Sequence, residues 1–204
     1  MDISFFFKGL AVGFSIAAPV GPIGILCIRR TLTKGRAAGL LSGLGAATAD
    51  GIYGCVAGFG LTFVSGFLIS QKLWLGLVGS LFLFYLGIKT FLAQPSNGTA
   101  STAGRGLLGC YASTFFLTLT NPVTILAFAA VFTGLGAATE VGGYPDAALL
   151  VLGVFTGSAL WWFILSGVVS VFRERFSLYS MRWVNRVSGA VITAFGLLAL
   201  LNLD

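Results

Sequence analysis

Long uncharged apolar runs, separated by short clusters of charge, set the pattern of this chain, and six of the runs are long enough to be membrane-spanning helices. The first lies between Lys8 and Arg29, the second begins near Gly39 and contains Asp50, and the third runs from about Leu73 to Ile88. The fourth begins at Gly106, the fifth fills Ala147 to Phe172, and the sixth runs from about Trp183 to Leu203. The stretches Ala37 to Ser70 and Gly106 to Thr139 hold 34 residues each. A straight helix of that length measures about 51 Å against a hydrocarbon core of about 30 Å, too long for one crossing and too short for two with a turn. Each is therefore predicted as one spanning helix with an interfacial extension. The expected fold class is all-α integral membrane, six transmembrane helices forming one domain over residues 1–204, with no soluble domain.

Composition agrees with lipid as the solvent. The chain is 57% hydrophobic and 9% charged, where a soluble domain carries about 25% charged residues. Its mean hydropathy is +0.98. A net charge of +6 raises nucleic acid as a partner, but the positions of the charges argue for topology instead. Arg29, Arg30, Lys34 and Arg36 follow the first span; Lys89 and Arg105 flank the loop after the third; Arg173, Arg175, Arg182 and Arg186 follow the fifth. Ten of the twelve basic residues thus fall on one side, while Asp2, Glu140, Asp146 and Asp204 fall on the other. The positive-inside rule then places the basic loops in the cytoplasm and both termini outside an inner (plasma) membrane, with the bilayer as partner and no nucleic acid. Residues 1–10 carry no positive n-region, so the first span is expected to be retained.

A weak internal repeat divides the chain into residues 1–94 and 105–204. Pro22 and Pro122 fall inside the first helix of each three-helix group, preceded by Gly21 and Asn121. Gly45, Thr48 and Asp50 align without gaps to Gly153, Thr156 and Ser158, and Trp74 and Gly87 align to Trp183 and Gly196. Three spans per half force the second half to enter the membrane in the opposite sense. Two inverted three-helix repeats are a recurring plan for alternating access, with the site where the repeats meet.

The strongest local signals for chemistry are breaks and a charge. Ala18-Pro19-Val20-Gly21-Pro22 cannot continue a regular helix, and Thr120-Asn121-Pro122 repeats the interruption in the second half. Such breaks are tolerated in hydrocarbon only where they face protein or a wet cavity, and paired interruptions point to a transporter's binding site. A kink used only for packing is the alternative. Asp50 is the one acidic residue well inside a predicted span, where an ionisable group implies a role by default; a structural tie to Thr48 or to a distant arginine is the alternative. Tyr53, at i+3, can share its face. Thr156 and Ser158 offer hydroxyls at the positions aligned with Thr48 and Asp50, and Trp161 and Trp162 follow within a turn, as cavity lining or as interfacial residues. The small-residue pairs Gly39/Gly43, Gly54/Gly58 and Gly153/Gly157 permit close helix approach, chiefly within the chain, leaving a homodimer open. Cys27, Cys55 and Cys110 are an odd number without metal-like spacing and read as packing residues. The chain contains no histidine and its carboxylates are scattered, so neither an enzyme active site, a metal cage nor a cofactor is expected.

These motifs resemble those of the LysE/RhtB superfamily of amino-acid exporters. The resemblance rests on Pro19-Val20-Gly21-Pro22, the basic stretch from Arg29-Arg30 to Arg36, Gly43 through Asp50, and Asn121-Pro122-Val123-Thr124-Ile125-Leu126, and it covers nearly the whole chain. By resemblance, Asp50 matches the family's acidic residue in that helix, and Pro22 and Pro122 match its helix breaks. It implies export of basic or neutral amino acids driven by the proton gradient or membrane potential. Val123 stands where relatives commonly have lysine after Asn-Pro.

The mechanism expected on this footing lodges a substrate between the two broken helices. Its carboxylate meets the helix starts after Pro22 and Pro122, whose dipoles favour negative charge. Its amine meets Asp50 until a proton from outside releases it. Two rivals belong to other classes: a membrane thiol relay through Cys27 and Cys110, which are not repeat-related, and a heavy-metal exporter, which the missing histidines weaken.

Overall fold

With no water in the bilayer core to satisfy backbone N–H and C=O groups, a spanning chain must bond them internally, and this chain does so with helices. The computed structural model describes residues 2–19, 21–59, 70–93, 103–134, 143–172 and 178–201. Among these residues the helices are α1 (Ser4–Ala17), α2 (Pro22–Lys34), α3 (Arg36–Gly58), α4 (Lys72–Phe91), α5 (Ala103–Leu119), α6 (Pro122–Gly134), α7 (Tyr144–Phe172) and α8 (Leu178–Leu201). Four of them, α3, α4, α7 and α8, are long and apolar enough to cross a membrane alone. The pairs α1+α2 and α5+α6 bring the number of crossings to six if each bent pair is one span.

The bends fall at the prolines. The axis turns by 80° between α1 and α2 and by 59° between α5 and α6. Pro22 is the first residue of α2, where its missing N–H costs nothing, and Gly21 precedes it in an extended conformation. In the second break Asn121 Oδ1 accepts a hydrogen bond from the Val123 amide at 3.1 Å, an Asn cap on α6. The interruption expected at Thr120-Asn121-Pro122 falls at this cap, between α5 and α6, and the extension expected up to Thr139 lies in residues 135–139, outside the described residues. The extension expected after α3 falls in residues 60–69, and Val20, Glu140, Arg173, Arg175 and Asp204 likewise lie outside the described residues. Between α2 and α3 the chain reverses through Gly35 at φ 99°, a backbone conformation that favours glycine.

The most enclosed of the four long helices is α3. It packs on α7 and α5; α7 also runs along α1, and α4 pairs with α8. Small residues set the spacing. A β-carbon on Gly9 or Gly13 of α1 would overlap the carbonyl oxygens of Leu150 and Val154, and one on Gly153 or Gly157 of α7 would overlap those of Phe6 and Leu10. On the other side of the bundle Gly87 of α4 meets Thr193 of α8, while Gly196 of α8 meets Phe84 of α4. Large apolar side chains such as Trp74, Leu81, Phe163, Val171, Trp183 and Leu198 point outward, as a lipid-facing surface requires.

One expectation about charge changes. Arg29 and Arg30 were expected in a basic loop, but both belong to α2 and Arg30 is buried. At the opposite end the exposed Asp2 carboxylate accepts a hydrogen bond from the Ser4 amide at 2.9 Å, which holds it below the usual carboxylate range.

Candidate functional site

Where α3 lies against α7, Asp50 meets Ser158. Asp50 Oδ2 accepts a hydrogen bond from Ser158 Oγ at 2.7 Å, and Ser158 Oγ accepts one from Trp162 Nε1 at 3.2 Å. Ser158 and Trp162 are four residues apart on α7 and so share one face. Asp50, Ser158 and Trp162 are 3%, 0% and 4% exposed, which seals the carboxylate from bulk solvent in this conformation. The residues around Asp50 on α3 are small: Ala46, Ala47, Ala49 and Gly51 are all buried. Gly43 lies directly under Trp162, where a β-carbon would overlap the tryptophan side chain.

Both helix breaks border this group. Ala17 and Ile23, on either side of the first break, share one buried cluster with Ala46, Ala47, Leu117 and Trp162. Tyr53, one turn beyond Asp50, donates its hydroxyl hydrogen to the Leu119 carbonyl oxygen at 2.6 Å, at the last residue of α5. Its ring lies 5.4 Å from that of Phe128 on α6. The first break therefore packs about one turn before Asp50 on α3, and the second is tied one turn after it.

The ten residues singled out from sequence divide in the structure. Asp50 and Ser158 are joined, and Tyr53 sits at the second break. Gly21 and Pro22 lie at the first break, Asn121 and Pro122 at the second, and Pro19 is exposed at the bend. Thr48 turns toward α5: its hydroxyl donates to the Leu44 carbonyl at 2.8 Å and accepts from the Tyr111 hydroxyl at 3.0 Å. Thr156 is exposed and donates to the Leu152 carbonyl of its own helix at 2.6 Å. Trp162 belongs to the central group, and Trp161 packs against the same buried cluster while making an edge contact with Phe14 of α1.

Arg30, which the pattern of charge assigns to a loop, is a buried polar group of α2. Its Nη1 donates to Ser42 Oγ and to the Cys110 carbonyl, both at 2.9 Å, and its Nη2 donates to Ser113 Oγ at 2.7 Å. Beside it, Arg29 Nε donates to Asn185 Oδ1 at 2.8 Å. The available signal was a pair of arginines within ten residues of a helix-starting proline, hence inside a helix. All three cysteines are free thiols, Cys27 and Cys110 buried and Cys55 partly so. Among the described residues no group of three metal-ligating side chains forms.

The profile of the LysE type translocator family matches residues 14–203. A protein of Bacillus subtilis (strain 168) named "Putative amino acid efflux protein YcgF" is 29% identical over 198 residues, covering 95% of this chain and 94% of that protein. No solved structure gives a significant match.

Proposed function

The chain belongs to the LysE type translocator family, and from that premise we propose that it exports an amino acid or closely related solute from the cytoplasm across the inner membrane, in exchange for a proton carried by Asp50. The observation that carries this reading is the buried carboxylate at the α3–α7 contact, bordered on both sides along α3 by broken helices. An ionisable residue enclosed at membrane depth marks a substrate or proton pathway. The resemblance to a protein named for amino acid efflux supports the cargo class.

In this scheme Asp50 is the station for the substrate's ammonium group. Ser158 holds the carboxylate through the 2.7 Å bond, and Trp162 fixes Ser158 from behind. An incoming amine takes over the carboxylate, and a proton arriving from outside later displaces the amine. One proton then moves inward for each substrate that leaves. The substrate carboxylate faces the start of α2, where the helix dipole favours an anion; on α6 the Val123 amide is already held by Asn121.

The reading includes an inverted repeat, which gives such a site two-sided access. Its support is reciprocity: Asp50 bonds to Ser158, its own aligned counterpart, and the Gly87–Thr193 contact is matched by Gly196–Phe84 at the same offset along the chain. The α3–α5 and α7–α1 contacts are likewise counterparts of each other. The test is growth of cells with and without the protein on toxic amino acids and dipeptides, followed by efflux of the labelled compound that discriminates. Protection by at least one amino acid is expected; equal sensitivity across the panel, with the protein present in the membrane, would contradict the reading.

A further inference from the structure

Arg29 and Arg30 do more than mark a cytoplasmic side. Their four acceptors come from three different elements: Ser42 on α3, Cys110 and Ser113 on α5, and Asn185 on α8. Asn185, itself buried, also donates from Nδ2 to the Ala93 carbonyl just past α4, at 3.0 Å. Ser42, Cys110 and Asn185 each lie six or seven residues in from the first residue of their helix, which is about 10 Å at 1.5 Å per residue. Two adjacent cations on the second half of a broken helix thus gather the ends of α3, α4, α5 and α8 at one level. Arg29 to Asn185 and Arg30 to Cys110 and Ser113 all cross from the first half of the chain to the second.

The chemistry of the partners matters as much as their positions. Arg30 is 6% exposed, yet its partners among the described residues are two hydroxyls and a carbonyl, with no carboxylate. Neutral acceptors satisfy the N–H groups without neutralising the charge, so the cost of keeping a cation out of water is only partly offset. A guanidinium held this way regains hydration when it is released into an aqueous vestibule. That is the property of a fastening that opens, in contrast to a carboxylate pair, which would hold it shut. The arrangement is also one-sided: at the positions of α6 that correspond to Arg29 and Arg30, counted from Pro122 as these are from Pro22, stand Ala129 and Ala130.

We infer that Arg29 and Arg30 are a latch that closes the cytoplasmic end of the transport path by fastening α2 across the two halves. The inference rests on the exporter reading for its purpose and on the basic-side-inward topology for the word cytoplasmic. The native thiols report on it. Cys27 sits one turn before Arg30 on α2 and Cys110 supplies one of its acceptors, and both are 2% exposed. Cys55 lies thirteen residues beyond Ser42 along α3 and is partly exposed.

The experiment labels the full-length protein with a membrane-impermeant thiol reagent in inside-out and right-side-out vesicles. For Arg30→Gln we expect labelling of Cys27 and Cys110 in inside-out vesicles to accelerate at least tenfold, while labelling of Cys55 in right-side-out vesicles slows. Arg30→Lys, which keeps the charge but loses the planar fork, should fall between. The double variant Ser113→Ala, Asn185→Ala removes acceptors and keeps both arginines; it should reproduce the acceleration and covers the case in which Arg30→Gln does not fold. Unchanged labelling in a variant with the native melting temperature overturns the latch. So does faster labelling of Cys110 with Cys55 unaffected, which would mean a local hole. Acceleration confined to right-side-out vesicles overturns the assigned side. None of these readouts uses an amino acid, so failure of the cargo assignment remains a separate result.

Discussion

Replacing Asp50 with asparagine removes the charge from the proposed station and changes almost nothing else. The side chains are isosteric, so Ala46, Ala47, Ala49 and Gly51 need not move. The amide oxygen can still accept from Ser158 Oγ, now 2.7 Å from a carboxylate oxygen, and the Trp162–Ser158 bond is untouched. A neutral hydrogen bond contributes about 1 kcal/mol and one to a charged group about 1.5–3 kcal/mol. Folded stability in detergent should therefore stay within about 2 kcal/mol of wild type. Transport should not. Loss of a charge-assisted bond to the substrate amine is worth about 1.5–3 kcal/mol, and each 1.4 kcal/mol is a factor of ten, so exchange should slow roughly ten- to hundredfold. Accumulation against a gradient should vanish altogether, because the variant has no group to carry the proton. The assay is uptake of labelled amino acid into inside-out vesicles with and without an imposed pH gradient, alongside substrate-for-substrate counterflow. If Asp50→Asn concentrates amino acid at the wild-type rate, the assignment of Asp50 is wrong.

Other substitutions separate contact from neighbourhood. Ser158→Ala leaves the Asp50 carboxylate and the Trp162 indole N–H without their shared partner and should cost about 1–3 kcal/mol as well as activity, whereas Thr156→Ala, on the exposed side of α7, should stay within about 0.5 kcal/mol in a thermal melt and transport normally. Tyr53→Phe keeps the ring against Phe128 but strands the Leu119 carbonyl; about 1 kcal/mol and a melting temperature about 2–4 °C lower are expected. Gly157→Val drives a branched side chain into the Leu10 carbonyl at the α1–α7 contact. It should abolish the monodisperse folded protein in size-exclusion chromatography, while Gly106→Ala, which meets nothing, should not.

What the sequence made legible follows from what lipid forbids. The long apolar helices could be placed because a charge or an open backbone group is costly in hydrocarbon, and the breaks could be placed because Pro22 and Pro122 lack an amide to donate. The bend angles could not, since 80° and 59° depend on what packs inside each bend. Asp50 and Ser158 were legible as aligned positions, and their bond follows if the two helices cross at those positions. Thr48 and Thr156 were grouped with them by proximity in sequence, yet residues two apart on a helix do not share a face, and both threonines turn elsewhere. Arg30 was misread for a related reason. A charge near the end of a hydrophobic run normally marks a boundary, and the partners that bury this one lie 12, 80 and 83 residues away.

Purified protein in liposomes, given an inward-directed proton gradient and a panel of labelled amino acids, tests the exchange most directly. The account predicts that at least one amino acid moves against its own gradient while protons move the other way, and that a protonophore stops both. Folded protein that moves no amino acid under the gradient, or moves one at a rate indifferent to the protonophore, would contradict it.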